Sequence, residues 1–250
     1  MRKFRKYTAT ALVAMMVAGM TMSGYQPADV SASQESEYII VTKDKKSMKT
    51  VESKYNTMID TQEQNTELLK DENVLVSKMT AKEADIVNKD QKVVSVEKNT
   101  MVNASETEST TVVKEDQGTD SQWNLKSIHV DKANDTATDE KVKVALLDSG
   151  IDYQEGLNVK ERVNLIEDDN EFSPMFEDSS NHGTSIASLI VSNNGKVKGI
   201  NKNVELYSAR ILDENKQAPI SRVVEGIYWA IDKKVNIISI SFGTNQYSEP

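Results

Sequence analysis

A short apolar run that ends in a carboxylate constrains this chain more than any other feature. Val142 to Leu147 is apolar but for Lys143, and it leads directly into Asp148 and then Ser149-Gly150, a pair suited to a sharp turn. Val204 to Leu212 and Asn236 to Phe242 are two further strand-like segments. Helical patterns separate the three. One opens near His182, and another covers Ser221 to Lys233, where Val223, Ile227, Ala230 and Ile231 share one face. Strands alternating with helices build a parallel α/β sheet, and in such sheets functional residues gather at the carboxyl ends of strands. Asp148 stands at one of those ends.

The preceding part has a different pattern. Between Tyr38 and Asn99 the chain reads as Tyr38 to Thr42 extended, Ser47 to Met58 helical, Val74 to Met79 extended, Thr80 to Lys89 helical, and Lys92 to Glu97 extended. Thr80 with Glu83 three positions on is a capping box opening its helix. Val93, Val94 and Val96 are β-branched strand formers. Residues 38–101 thus read as a small α+β domain. About 60 residues enclose a marginal core that usually needs a staple or a partner. With no cysteine in the chain there is no disulfide staple, thiolate metal site or cysteine nucleophile, so a docking partner is expected.

Residues 102–120 read as an exposed, cleavable linker, with Glu106, Glu108, Glu115, Asp116 and Asp120 against Lys114 and no periodic structure. At the amino terminus, Arg2, Lys3, Arg5 and Lys6 precede the uncharged run Thr8 to Met20, shorter than the roughly 20 apolar residues of a membrane span. Residues 1–32 therefore read as a secretory signal peptide, with a cut after Val30-Ser31-Ala32 and one near Gly24 as the alternative. A secreted, extracellular protein with no stable membrane anchor follows. The formal charge of -9 becomes more negative once that basic segment is removed, which argues against nucleic acid as a partner, because phosphate affinity comes from clustered Lys and Arg.

Two motifs carry chemistry. Asp148-Ser149-Gly150-Ile151-Asp152 places a carboxylate at a strand end, and His182-Gly183-Thr184-Ser185-Ile186-Ala187, preceded by Asp178 and Asn181, places a histidine at a helix start. A buried Asp that fixes the tautomer of a neighbouring His is the base half of a serine-protease triad. The other histidine, His129 near Asp131, reads as a surface pair. Asp168, Asp169, Asn170, Glu171, Glu177 and Asp178 form an acidic loop that departs from the calcium-loop template and reads as solvated.

On these residues the chain resembles the subtilisin family of serine endopeptidases, whose triad runs Asp, His, Ser in chain order. Ile237-Ile238-Ser239-Ile240-Ser241-Phe242-Gly243 is similar to the family's buried strand, whose Ser-x-Gly end pairs with substrate backbone. Trp123-Asn124-Leu125 and Ile128 resemble the start of its mature enzyme, and residues 38–101 resemble its inhibitory propeptide, with Val93 to Glu97 as a terminal strand. The resemblance implies a small α+β, ferredoxin-like propeptide followed by a parallel-sheet, subtilisin-like α/β catalytic domain, of which residues 121–250 are the first half. It implies Asp148 and His182 as catalytic residues, Ser241, Phe242 and Gly243 as substrate-binding residues, and Ile220 and Val223 as apolar pocket lining. The implied partners are a protein or peptide substrate and the chain's own propeptide. No cofactor is implied. A metal is not expected either: Leu157 stands nine residues after Asp148, where the family carries a ligand Asp, and the loop Ser192 to Lys198 is short.

The family further requires an oxyanion-hole Asn and a nucleophile within Gly-Thr-Ser-x-Ala, beyond the Ser-x-Gly strand, and the 250 residues contain neither there. Gly183-Thr184-Ser185-Ile186-Ala187 spells the pattern, but Ser185 follows the His of the His-Gly-Thr motif, whereas a separate strand-to-helix element should present the attacking hydroxyl. The expectation is the amino-terminal part of a secreted zymogen of a serine endopeptidase, inactive by itself. An inactive secreted pseudoprotease or peptide-binding protein that keeps the groove is the alternative.

Overall fold

The computed structural model describes residues 34–60, 66–104, 122–134, 141–166, 177–178, 180–193 and 197–244, without the side chains of Asp131 and Asn134. The signal segment 1–32, linker residues 105–120, the acidic stretch Asp168 to Glu171 and the Asp131 half of the His129–Asp131 pair lie outside these. In chain order the elements are β1 (Glu35–Thr42), α1 (Lys45–Lys54), α2 (Glu67–Asp71), β2 (Val74–Thr80), α3 (Ala81–Asn88), β3 (Val93–Lys98) and β4 (Met101–Ala104). Then follow α4 (Trp123–Ser127), α5 (Val130–Asn134), β5 (Lys143–Asp148), β6 (Val159–Asn164), α6 (His182–Val191), β7 (Glu205–Arg210), β8 (Gln217–Pro219), α7 (Ile220–Asp232), β9 (Ile237–Ile240) and β10 (Phe242–Gly243).

The chain forms two compact units, the first of which holds the residues up to Val102 together with Pro219–Trp229. Its sheet has the order β2-β1-β3, with β1 antiparallel to both neighbours and Ile40 opposite Leu75 on one side and Val96 on the other. Ile40, Val51, Leu75, Met79 and Val87 make its core. Both longer helices start on side-chain caps: Asp44 accepts from the Ser47 N–H at 2.7 Å, and Thr80 and Glu83 complete the capping box read from the sequence. Helix α1 ends at Lys54, short of the expected Met58, because Tyr55 turns out of helical geometry and its hydroxyl donates to Asp90 at 3.0 Å. In the same unit, the first N–H groups of α7 are accepted by the Thr100 carbonyl at 3.0 Å (from Ile220) and by Asn99 Oδ1 at 2.9 Å (from Ser221).

The second unit, Asn103–Ala218 with Ala230–Gly243, holds a four-stranded parallel sheet in the order β6-β7-β5-β9. Ala145, Leu146 and Leu147 of the central β5 are fully buried, as an apolar run between two strands requires. Ala187 and Val191 of α6 join Val144, Leu146, Ile151, Leu157 and Leu206 in one apolar cluster. Strand β6 was not expected; it is an edge strand whose exposed Lys160 and Glu161 break the apolar pattern, and charge at an edge discourages pairing with other chains.

Two expectations need correction. The single strand expected over Asn236 to Phe242 is two: β9 ends at Ile240, and after Ser241 the chain enters a separate three-stranded sheet in the order β10-β4-β8. Residues 102–104, expected to begin a linker without structure, belong to β4, where Asn103 pairs with Gly243 and Ala104 with Phe242.

Candidate active site

Asp148 is the last residue of β5 and is buried, with 1% of its surface exposed. Its carbonyl accepts the N–H groups of Ile211 and Leu212 at 2.8 and 3.1 Å, which fixes its backbone at the carboxyl end of the sheet. Gly150 then turns the chain with φ +109, and a Cβ there would lie 2.8 Å from the Glu177 carbonyl oxygen. A residue with a side chain would be strained there on both counts.

His182 is the first residue of α6 and comes from the other motif. Its Nδ1 lies 2.7 Å from Asp148 Oδ1. That approach depends on the next residue: a Cβ on Gly183 would stand 2.1 Å from the Gly150 carbonyl oxygen and 3.2 Å from Asp148 Oδ1. Glycine is therefore what lets the helix end reach the strand end. With Nδ1 turned to the carboxylate, Nε2 is the nitrogen left to take up and release a proton. The ring is partly accessible, at 18% of its side-chain surface.

Backbone and hydroxyl donors hold the carboxylates. Asp148 Oδ1 also accepts from the Ser149 N–H at 2.8 Å, while Oδ2 has no hydrogen-bond partner among the described residues. The fully buried Ser149 hydroxyl lies 3.1 Å from Asp148 Oδ1 and 2.6 Å from Asp178 Oδ1, and accepts the Gly183 N–H at 3.0 Å. Its single proton bonds one carboxylate at a time, and the shorter distance favours Asp178.

Asp178 is the residue that sequence reasoning misassigned. Read as part of a solvated acidic loop, it is buried and accepts the Thr184 N–H at 2.7 Å and the Ser180 N–H at 3.1 Å. It thereby serves as the cap that Asn181, the residue before the helix, does not provide, since Asn181 is left-handed with φ 60 and makes no side-chain capping bond. A carboxylate there also suits the positive end of the helix dipole. Asp152 completes the ring: its Oδ1 accepts the Asp178 N–H at 2.9 Å, and its own N–H donates to Thr184 Oγ1 at 3.0 Å. The spacing Asp178, His182, Thr184 was the available signal.

The other expected site residues divide between the units. Ser241, Phe242 and Gly243 lie in the second unit with Asp148 and His182. Phe242 is buried, and β10 carries β4 along its edge. Because Leu147 pairs with Ile240, Asp148 and Ser241 are the next residues on adjacent strands. Ile220 and Val223 stand in the first turn of α7, in the first unit. Ser185 is exposed and its hydroxyl donates to the Asn181 carbonyl at 2.7 Å. Leu157 sits in the apolar cluster, and the segment after α6 is tied by Gln122, whose side-chain amide donates to the Lys198 carbonyl at 2.7 Å and accepts the Lys198 N–H at 2.8 Å. Among the described residues, no three His, Cys, Asp or Glu side chains are grouped to hold a metal ion, and no helix is long and apolar enough to cross a membrane.

A profile of the subtilase family matches residues 139–250, the part that carries both motifs and the Ser241–Gly243 strand. Residues 139–250 are thus similar to the subtilase family. Similar relatives extend the match: a thermostable alkaline protease of Halalkalibacterium halodurans is 27% identical over 225 residues, covering 89% of this chain and 56% of that protein. The minor extracellular protease Epr of Bacillus subtilis is 28% identical over 225 residues, covering 87% and 33%. Subtilisin E of Bacillus subtilis is 35% identical over 109 residues, covering 42% of this chain and 28% of its own. The chain thus spans between about a quarter and little more than half of the length of these relatives. In fold it is similar to the epidermin leader peptide processing serine protease of Staphylococcus aureus, with a TM-score of 0.58 at 18% identity over 85% of this chain and 50% of that one.

Proposed function

We propose that this chain is a subtilase, a secreted serine endopeptidase made as a zymogen, in which Asp148 and His182 are two members of an Asp-His-Ser triad. The observation that carries the reading is the 2.7 Å contact between His182 Nδ1 and the buried Asp148 carboxylate. His182 Nε2 takes the proton of a serine hydroxyl as that oxygen adds to the peptide carbonyl, and returns it to the leaving amine. Asp148 holds the tautomer and stabilises the imidazolium that forms. The one Gly-Thr-Ser-x-Ala in the sequence, at residues 183–187, does not supply the attacking serine. Ser185 is excluded by its place one helical turn beyond His182 and its bond to the Asn181 carbonyl. A triad without its nucleophile loses about a million-fold in turnover, so the 250 residues alone are expected to be inactive.

Ser241, Phe242 and Gly243 receive substrate as an added strand, a reading supported by the antiparallel pairing of β4 with β10. Residues 1–32 direct export, residues 38–101 act as the inhibitory propeptide, and self-cleavage falls between Met101 and Ser121. The test is expression of the full-length gene with mass analysis of the secreted product. His182→Ala is expected to accumulate the precursor, and Asp148→Asn to slow processing severely, because the amide favours the wrong tautomer. Normal processing of purified His182→Ala, with no other protease present, would overturn the reading.

A further inference from the structure

We propose that Gln217 is a specificity-determining residue: it selects, in a bound peptide, a side chain with a hydrogen-bond-accepting oxygen at the position opposite Gly243. The inference rests on the endopeptidase reading above and names what that groove prefers.

The chain's own β4 supplies the geometry. Asn103 lies opposite Gly243 and Ala104 opposite Phe242, while the Ala104 N–H donates to the Lys216 carbonyl at 2.9 Å. This strand is thus held on both edges, by β10 and by the Lys216–Gln217 segment. In that register Asn103 Oδ1 accepts from Gln217 Nε2 at 2.8 Å, a side-chain contact added to the backbone pairing. Backbone pairing carries no sequence information, so a side-chain bond of this kind is where preference can arise.

Gln217 is held ready for the task. Its N–H donates to Asp213 Oδ1 and its carbonyl accepts the Asp213 N–H, each at 2.9 Å. Asp213 also accepts from the Asn215 N–H on its carboxylate and from the Lys216 N–H on its carbonyl, again at 2.9 Å, and Lys216 takes the left-handed conformation with φ 59. The turn is closed by its own bonds, so only the Gln217 side-chain torsions remain to be ordered when a peptide binds.

The strand pairing also fixes which substrate residue is read. Ile240 pairs with Leu147, so a peptide continuing past Phe242 places its next residue opposite Ser241, the neighbour in sequence of the strand residue paired beside Asp148. With the proposed triad acting on the bond after the residue opposite Ser241, the residue opposite Gly243, two positions earlier, is third before the cut. Asn and Asp place an acceptor oxygen there; Leu, of similar size, does not. The pair is solvent-exposed, so the net gain is that of an ordinary hydrogen bond, about threefold to tenfold in kcat/KM.

The experiment uses the full-length processed protein, two fluorogenic peptides differing only by Asn or Leu at the third position before the cut, and the same pair carrying a fluorophore for equilibrium binding by anisotropy. Wild type is expected to favour Asn threefold to tenfold in both measurements, and Gln217→Leu to bring the ratio close to one. Cleavage of both peptides with no preference, or a preference that survives Gln217→Leu, overturns the inference and leaves the endopeptidase reading intact. Preferential binding lost in Gln217→Leu, with no cleavage of either peptide, sustains the inference and refutes the endopeptidase reading. Absence of binding and cleavage alike refutes both.

Discussion

Gly183→Ala is the substitution whose consequence the geometry fixes most tightly. The new Cβ would stand 2.1 Å from the Gly150 carbonyl oxygen, with Asp148 Oδ1 another 3.2 Å away. Backbone does not yield as a flexible side chain does, so relief requires the first turn of α6 to withdraw by about 1 Å, to a contact that packed atoms tolerate. Withdrawal strains the bonds of Gly183 N–H to Ser149 at 3.0 Å and of Thr184 N–H to Asp178 at 2.7 Å, and lengthens the 2.7 Å contact between His182 and Asp148. Overpacking of this kind costs about 1–3 kcal/mol, and a misplacement of about 1 Å near the chemistry costs about 100-fold in rate. Thermal unfolding should show a lowered midpoint, and the imidazole resonances of His182 should shift or broaden in the NMR spectrum. In the full-length protein, processing should slow in step. Gly243→Ala is the control for stability, because nothing lies within 4 Å of a Cβ added there. An unchanged midpoint with an unmoved His182 resonance in Gly183→Ala would refute the close-approach argument.

Three further outcomes are expected. Ser149→Ala removes the partner of a buried carboxylate and of a buried N–H, and should destabilise by about 1–3 kcal/mol in urea unfolding, with Ser149→Thr recovering most of the loss; equal denaturation midpoints for wild type and Ser149→Ala would contradict this. Asp90 accepts from Lys54 at 2.6 Å, the Lys92 N–H at 2.9 Å and the Tyr55 hydroxyl at 3.0 Å; the Lys54 bond foremost holds its carboxyl well below the usual range and pushes Lys54 up to about 12. A depressed carboxyl stabilises the fold fully above its unfolded value near about 4 and loses that contribution as pH falls through the folded value, so Asp90→Asn should flatten the acid limb of the stability curve below about pH 4, and a curve parallel to wild type there would exclude the role. Finally, should the proposed self-cleavage follow directly on the pairing of Ala104 with Phe242, the bond cut is Ser105–Glu106 and the first processed amino terminus is Glu106; a first cut elsewhere, read by mass spectrometry before any trimming, would break the register argument.

What the sequence made legible was local. The apolar run closing on Asp148, the His-Gly-Thr helix start and the Thr80–Glu83 capping box each depend on neighbours within a few positions, and each has its expected secondary structure. Strand β4 was not legible, because its order comes from pairing Asn103 with Gly243, far along the chain, and its four residues have no period of their own. Edge strand β6 was hidden by the charges that suit an edge. Asp178 was hidden by its acidic neighbours: composition described a solvated loop, while the open N–H groups at the start of α6 needed a carboxylate, and Asp178 supplies it.

Asp148, Asp152 and Asp178 crowd one helix end in a chain of formal charge -9, and their carboxylates meet backbone N–H groups, the Ser149 hydroxyl and the His182 ring. Backbone donors cannot be moved without moving the strand and helix that carry them. The orientation of His182 is thus a property of how β5 and α6 meet, through Ser149 and Gly183, more than of the two side chains in contact. Substitutions at Ser149 and Gly183 should therefore lower stability and reactivity together. Substitution of His182 itself, whose ring is partly exposed and stands at the edge of this network, should abolish reactivity while leaving most of the stability in place.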